Sequence, residues 1–355
     1  MSVLDVKERP FFPLDRKLKL RTDRWSEGAA RVATRQGLQA RSFELAAESF
    51  EEAVGSGISA DTVRRISQGW GQACLKQREA DREAAYDLTQ NKQEAIEEVD
   101  PIGQQANLAT DGGMMHIRGE GWKEVKLVTV SAVRPKRENE KSAHPDGRRY
   151  APWEPQMTLE RHSYQAILGS ADEMEPIQYL EGCRRGLRSC PRKSGVSDAA
   201  LWIERITTTN FPHLTPIVDW FHASERLWDL GKACFPEKER RSAWVQARQD
   251  DLWAGRTEKV VSALSDLSIP AQAREEVADT PGYFERHQKR LLYHQYRMAG
   301  YPIGSGTVES GVNIVVHHRL KRQGRGWQRD NAQALLAALS ELHSRRFDWA
   351  WQRTN

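Results

Sequence analysis

The chain has 355 residues, 39% of them hydrophobic and 29% charged, with a formal net charge of +4. At about 150 residues per domain this length predicts two or three domains. No apolar run approaches the roughly 18 residues of a membrane span, and the first residues lack the apolar stretch of a secretory leader. Cys74, Cys183, Cys190 and Cys234 are too scattered for a disulfide framework and form no Cys-x-x-Cys pair, which fits a reducing cytoplasm and argues against a zinc site.

Residues 1–70 read as a small all-helical unit. Phe43, Ala46, Ala47, Phe50 and Val54 recur at helical spacing behind Ser42, a suitable N-cap. Gly55-Ser56-Gly57 breaks that helix, and Ser59 caps a second one with Val63 and Ile66 on its inner face. Helix, glycine turn, helix fits a DNA-reading helix-turn-helix with Arg64 and Arg65 outward, and fits an ordinary helical bundle equally well. Residues 71–104 read as a connector built on one long exposed helix that Pro101 stops.

The texture changes at Asn107. Asn107–Arg118 and Lys123–Arg134 are β-rich, and His162–Leu168 is a third strand candidate. A helix over 171–187 follows, then a short strand ending near Asp198, a helix over 200–208 and a strand through Pro216 to Asp219. Three strands followed by alternating helices and strands predict a mixed α/β sheet. Residues 223–297 carry no β signal and read as a helical insertion punctuated by Trp228, Trp244 and Trp253. The chain closes with helices over 307–320 and 331–347.

Three acids fall at element boundaries. Asp111 ends a strand beside Gly112-Gly113, where a carboxylate reaches a metal without crowding; a tight turn explains it as well. Asp198 lies between a strand and a helix, where an N-cap is the ordinary explanation. Glu309 sits in the first turn of a late helix, where it also suits the helix dipole. Together, three carboxylates are what two hard cations about 3.5–4 Å apart require, and oxygen ligands suit Mg²⁺ or Mn²⁺. The segment His317–Arg329 contains five Arg or Lys and no acid, a block that attracts phosphate. Arg319, Lys321, Arg322 and Arg325 are its candidate DNA contacts. Trp327 is either a base-stacking ring or a core residue.

The blocks Thr110–Met114, Gly121–Glu124, Ser197–Ile203, Phe211–Leu214, Ile217–Glu225, Gly300–Ser310 and Arg319–Trp327 appear in the order found in ISKra-type transposases, bacterial relatives of the Mutator-like superfamily, and the chain resembles that family from residue 10 onward. The resemblance implies an RNase H-like catalytic domain over 105–330, with the helical insertion inside it and a packing helix over 331–355. It implies that Asp111, Asp198 and Glu309 form the catalytic triad, that Asp219-x-x-His222 is a supporting signature, and that the N-terminal helices bind DNA. His222 then orients a carboxylate, contacts a phosphate or fills the core. One departure stands out: Ser197-Asp198-Ala199-Ala200 replaces the family's Gly-Asp-Gly-Ala, and alanine is strained if position 199 needs a positive φ.

The function expected from the resemblance is DNA transposition. The protein binds the ends of its element as a homo-oligomer on double-stranded DNA, cuts with divalent metal ions, and joins 3′-OH ends to target DNA, in a bacterial cytoplasm at the nucleoid. The alternatives are an RNase H-like nuclease and an inactive or domesticated transposase that only binds DNA. Between Asp198 and Asp219, topology favours Asp198 as the second metal ligand. In an RNase H-like sheet the fourth strand returns beside the first, whereas Asp219 lies on the fifth, about 4.8 Å further out.

Overall fold

The long apolar run of the second strand is the organising element. Val125–Val133 is buried without interruption, as expected of a strand covered on both faces. The computed structural model describes residues 25–86, 96–321, 324 and 326–354. Its sheet is mixed and five-stranded: β1 (Gln105–Ile117), β2 (Gly121–Pro135), β3 (Met157–Ile167), β4 (Arg192–Ser197) and β5 (Thr215–Val218), in the order β3-β2-β1-β4-β5. The first three strands form an antiparallel meander, and β4 and β5 add in parallel on the other side of β1. This mixed α/β arrangement is compatible with an RNase H-like fold, with the fourth strand beside the first. β3 begins five residues before the predicted start.

The helices are α1 (Glu27–Gln39), α2 (Phe43–Val54), α3 (Ala60–Tyr86), α4 (Ala171–Arg184), α5 (Leu201–Asn210), α6 (Trp220–Cys234), α7 (Lys238–Trp253), α8 (Thr257–Ser265), α9 (Thr280–Arg286), α10 (Tyr293–Met298), α11 (Gly306–Gly311), α12 (Arg329–His343) and α13 (Phe347–Thr354), with single turns between some of them. α4 and α5 cover one face of the sheet, where Met174, Ile177 and Ile206 meet Leu108, Val128 and Val130. On the other face, α11 and α12 bring Val308, Leu335 and Leu336 against Ala109, Val125 and Leu127. Helices α6 to α10 surround a separate core built on Trp220, Leu227, Phe284 and Tyr293, in the stretch read as the helical insertion. Among the described residues, no helix is long and apolar enough to cross a membrane.

The N-terminal helices begin and end as their sequence predicts. Ser42 Oγ accepts the Leu45 N–H at 3.2 Å and Ser59 Oγ the Thr62 N–H at 3.1 Å. Gly55 closes α2 at φ 70°, a conformation glycine adopts without strain. Two features differ from expectation. The second helix and the connector are one continuous helix, α3. That helix is not exposed all round either, because Val63, Ile66, Trp70, Cys74 and Arg78 repeat every three or four residues and bury one face. α3 lies along α12, and Trp70 stacks with Phe347 and Trp351 of α13. α1 to α3 therefore share the core of the sheet's α12 face. Residues 1–24 of the predicted N-terminal unit lie outside the described residues.

Arg319 requires a correction. It is 1% exposed and cannot reach a phosphate. Its guanidinium lies over the Phe43 ring at 4.3 Å and donates to the Gly37 and Arg41 carbonyls, tying this late segment to α1 and α2. Charge density in the sequence suggested a solvated block, but the cationic head here is spent on aromatic and carbonyl partners. Trp327 is half-buried, donates its indole N–H to the Leu320 carbonyl at 2.9 Å and meets Phe43 edge-on, which favours the core reading of that residue. Arg322 and Arg325 lie outside the described residues. Lys321 is exposed. Arg64 and Arg65 are both engaged with Asp61, one helical turn back.

Candidate active site where β4 and β5 end beside β1

Strand register brings the aspartates to one level. β1 and β4 pair in parallel up to Ala109–Val196, and β4 and β5 pair up to Ser197–Val218. Continuing the same offsets sets Asp111, Asp198 and Asp219 at one level, just past the carboxyl ends of β4 and β5 and beside the middle of β1. Asp111 is not at a strand end as expected. It lies inside β1, opposite Leu127 of β2, at the point where β4 has stopped and the other edge of β1 opens. Its Oδ1 accepts the Gly112 N–H at 2.7 Å. Asp198 follows β4, and its Oδ1 accepts the Ala200 N–H at 2.9 Å. Neither carboxylate's second oxygen has a hydrogen-bond partner among the described residues.

Glu309 arrives from the opposite layer. It is exposed in α11, where Ser305 Oγ lies 3.4 Å from its Oε1. Two glycines allow this approach. A Cβ on Gly113 would stand 2.6 Å from Val312 Cγ1, and one on Gly311 would stand 2.8 Å from the Tyr164 ring. The predicted single helix over 307–320 is interrupted, because Val312–His317 takes up a π-helix directly after α11. The wider turn rotates the following residues relative to Glu309, a local departure found often beside functional sites.

The electrostatics couple these groups. Burial pushes the Asp111 carboxyl above its ordinary range, and the charges of Asp198 and Glu309 add to it, against the Gly112 N–H and His222. His222, on α6, is raised to about 9, first by its hydrogen bond to Asp219 and then by the fields of Asp219, Asp198 and Asp111. It is an imidazolium at neutral pH. Together with Glu309, Phe221 and Trp228 it lines an open cleft of about 760 Å³. Among the described residues, no group of three His, Cys, Asp or Glu side chains already stands close enough to hold a metal ion.

Asp219 has a different role from its neighbours. It is fully buried. One oxygen caps α6 through the His222 N–H at 2.8 Å and faces His222 Nδ1 at 3.1 Å; the other accepts the Ser305 N–H. Burial works against its charge, but these donors more than offset it and hold the carboxyl below its ordinary value. With both oxygens engaged, Asp219 joins β5, α6 and the start of α11, and so positions His222 and Glu309. Sequence reasoning found Asp219 and His222 but missed Ser305 and Tyr283. The Tyr283 hydroxyl reaches the Asp198 carbonyl at 3.1 Å from the helical insertion, and no local spacing signals a contact across 85 residues.

Ala199 has φ 67°, the left-handed conformation that the alanine-for-glycine departure placed in question. Left-handed backbone costs an L-residue about 1–2 kcal/mol. Ala199→Gly is therefore expected to be neutral or stabilising by up to about 1 kcal/mol, because relieved strain outweighs the loss of a methyl worth about 0.8 kcal/mol. Ala199→Val should lose about 2 kcal/mol or more, since a β-branched residue tolerates this conformation worst. Denaturant unfolding of the three proteins tests the order, and a glycine variant clearly less stable than the parent contradicts it.

No family model matches the chain, and no curated protein matches it. Among solved structures it is similar to the Drosophila P element transposase strand transfer complex, at 10% identity and a TM-score of 0.28, over 93% of this chain and 80% of that chain. A likeness at that level carries no functional argument. The resemblance to ISKra-type transposases rests on the quoted sequence blocks alone.

Proposed function

We propose that the protein is a metal-dependent DNA transposase on an RNase H-like core, with Asp111, Asp198 and Glu309 as its ligand set. The observation that carries this reading is the parallel pairing of β1 with β4, which ends two residues short of Asp111 and Asp198 and so brings both to one level, with the charge of Glu309 adding to the upward push on the Asp111 carboxyl. The donor set fits Mg²⁺ or Mn²⁺, being all carboxylate, mutually repelling and with an oxygen to spare on each aspartate. Bound there, the ions would supply an activated attacking oxygen and a stabilised leaving oxygen. Among the described residues no three such side chains stand close enough to hold an ion, so this reading requires the acids to converge as cations and DNA bind. His222, held protonated by Asp219, lines the cleft beside Glu309 and is placed to meet a phosphate oxygen or give its proton to a leaving 3′ oxygen. Lys321, with Arg322 and Arg325 in the same segment, supplies phosphate contacts that position duplex DNA. Assembly as a homo-oligomer on element ends, in the bacterial cytoplasm, belongs to the same proposal.

The test is incubation with element-end duplex and Mg²⁺ or Mn²⁺. Nicks together with joined products are expected, and EDTA should remove both. Nicks without joining favour an RNase H-like nuclease. The strained alanine beside Asp198 and the separated acids favour one further reading, a transposase derivative that binds DNA without cutting it. DNA binding with no metal-dependent product would establish that reading instead.

A further inference from the structure

Beyond Asp111 the β1–β2 ribbon runs on past the end of β4. Its two faces differ there. Gly113, Met115, Ile117 and Val125 are buried, whereas Met114, Trp122 and Glu124 are exposed. Trp122 is 55% exposed. A single exposed apolar side chain needs no explanation by itself, but this ring is held in place with an ammonium beside it. His116, its cross-strand partner, meets it edge-on with centroids 5.7 Å apart. Lys321 Nζ lies 5.9 Å from its centroid. The ribbon's turn is fastened to the basic segment: the Arg118 N–H donates to the Trp327 carbonyl at 2.9 Å, the Trp327 N–H to the His116 carbonyl at 3.1 Å, and Arg329 forks onto Glu120. Arg118 adds positive charge at the ribbon's turn, whereas Lys126 is buried, paired with Glu124 and turned over the Trp202 ring.

From these contacts we infer that Trp122 is a stacking platform for an unpaired nucleobase near a DNA strand end, with Lys321 taking the adjacent phosphate. The inference rests on the DNA-processing reading of the neighbouring acids. An aromatic ring beside a mobile ammonium matches a nucleotide, which carries a π-face and an anion a short distance apart. The base must be unpaired or terminal, because a base inside a duplex has both faces covered by its neighbours. The platform stands about 17 Å from Asp111, five residues along β1 at about 3.3 Å each, and on the other face of the ribbon, because Trp122 pairs with His116 and alternate residues of a strand face opposite ways. It therefore takes DNA flanking the reacting phosphate and not the scissile nucleotide.

The test uses the full chain in EDTA, so that binding is read without cleavage. Fluorescence anisotropy compares a blunt duplex with the same duplex bearing a short single-stranded overhang. The wild-type protein should prefer the overhang, and Trp122→Ala should lose about 5- to 150-fold on that DNA, the effect of one base–aromatic stack, while blunt-duplex affinity changes less than about twofold. Trp122→Phe should recover most of the loss, a rescue that mere surface damage would not show. An unchanged overhang preference in Trp122→Ala, with wild-type nicking in Mg²⁺ intact, overturns the platform and leaves the transposase reading standing. A change in sedimentation caused by Trp122→Ala without DNA would make the face a contact between copies of the chain and overturn it as well. Failure of the wild-type protein to bind either DNA would overturn both proposals.

Discussion

Asp198→Asn should reduce strand cleavage by at least about 100-fold while DNA binding survives, and Asp111→Asn should do the same. Removing a direct carboxylate ligand is expected to cost more than the 10- to 100-fold typical of a partner one step removed from a metal. Asp219→Asn is such a one-step-removed change and should leave measurable cleavage. Asparagine offers one acceptor oxygen where Asp219 uses two, so either the His222 contacts or the Ser305 N–H loses its partner. The pH profile separates the two classes. The raised His222 pKa contributes stability that is fully present below the unfolded value near 6.5 and is lost as pH rises through about 9. Without the Asp219 charge, His222 should deprotonate nearer its ordinary value, so the deficit of Asp219→Asn should widen between those two pH values. Titration with Mn²⁺ gives a readout independent of turnover: Asp198→Asn should weaken binding more than Asp219→Asn. Normal cleavage by Asp198→Asn would remove that residue from the ligand set.

Arg346→Ala should be the most damaging single change for stability. Arg346 is buried between helices α12 and α13, forks onto fully buried Glu181 of α4 at 2.8 and 2.9 Å, and reaches Glu341 of α12 at 2.9 Å. Glu341 in turn accepts from Gln165 of β3 at 2.6 Å, so the cluster ties the sheet to both of its helical layers. Alanine would leave two buried carboxylates without their direct partner and with only the more distant Arg184 beside them, and breaking a buried pair in this way costs about 3–5 kcal/mol, a large share of the 5–15 kcal/mol that holds a typical domain folded. Arg346→Lys keeps the charge but not the fork, and should lose less. The effect has a pH signature. Burial pushes the Glu181 carboxyl up, but Arg346, helped by Arg184 and Ser163, outweighs this and holds it below its ordinary value of 4.5. Its contribution is present above that pH and lost as pH falls through the lower folded value. In Arg346→Ala the sign reverses, because an unpaired buried Glu181 gains by taking a proton. The gap between variant and parent in urea unfolding should therefore narrow from pH 7 to pH 5. An equal gap at both pH values would show that Glu181 is not what the arginine neutralises.

Much of the layout was legible because its signals are local. The apolar run of Val125–Val133, the caps at Ser42 and Ser59 and the glycine stop at Gly55 each act within a few residues, where periodicity and capping chemistry leave a direct trace in sequence. The order of strands and helices was enough to predict a mixed sheet, and the RNase H-like reading that the resemblance implies put β4 beside β1, as the sheet order has it. The doubt about Ala199 was also readable, since a small set of residues tolerates a positive φ. Tertiary structure alone decided which charges are free. Arg319 and Lys321 are two residues apart in one basic block, yet the first is buried against Phe43 and carbonyls some 280 residues away and the second is exposed. Side-chain burial depends on what the rest of the chain brings to that spot, and composition does not record it. The same holds for Asp219, whose carboxylate is consumed by Ser305 from a distant turn, and for the N-terminal helices, whose apolar faces are satisfied by α12 and α13. Local free-energy preferences fixed the elements; the choice among the contacts open to each polar group was made only when burial forced every buried donor, acceptor and charge to find a partner.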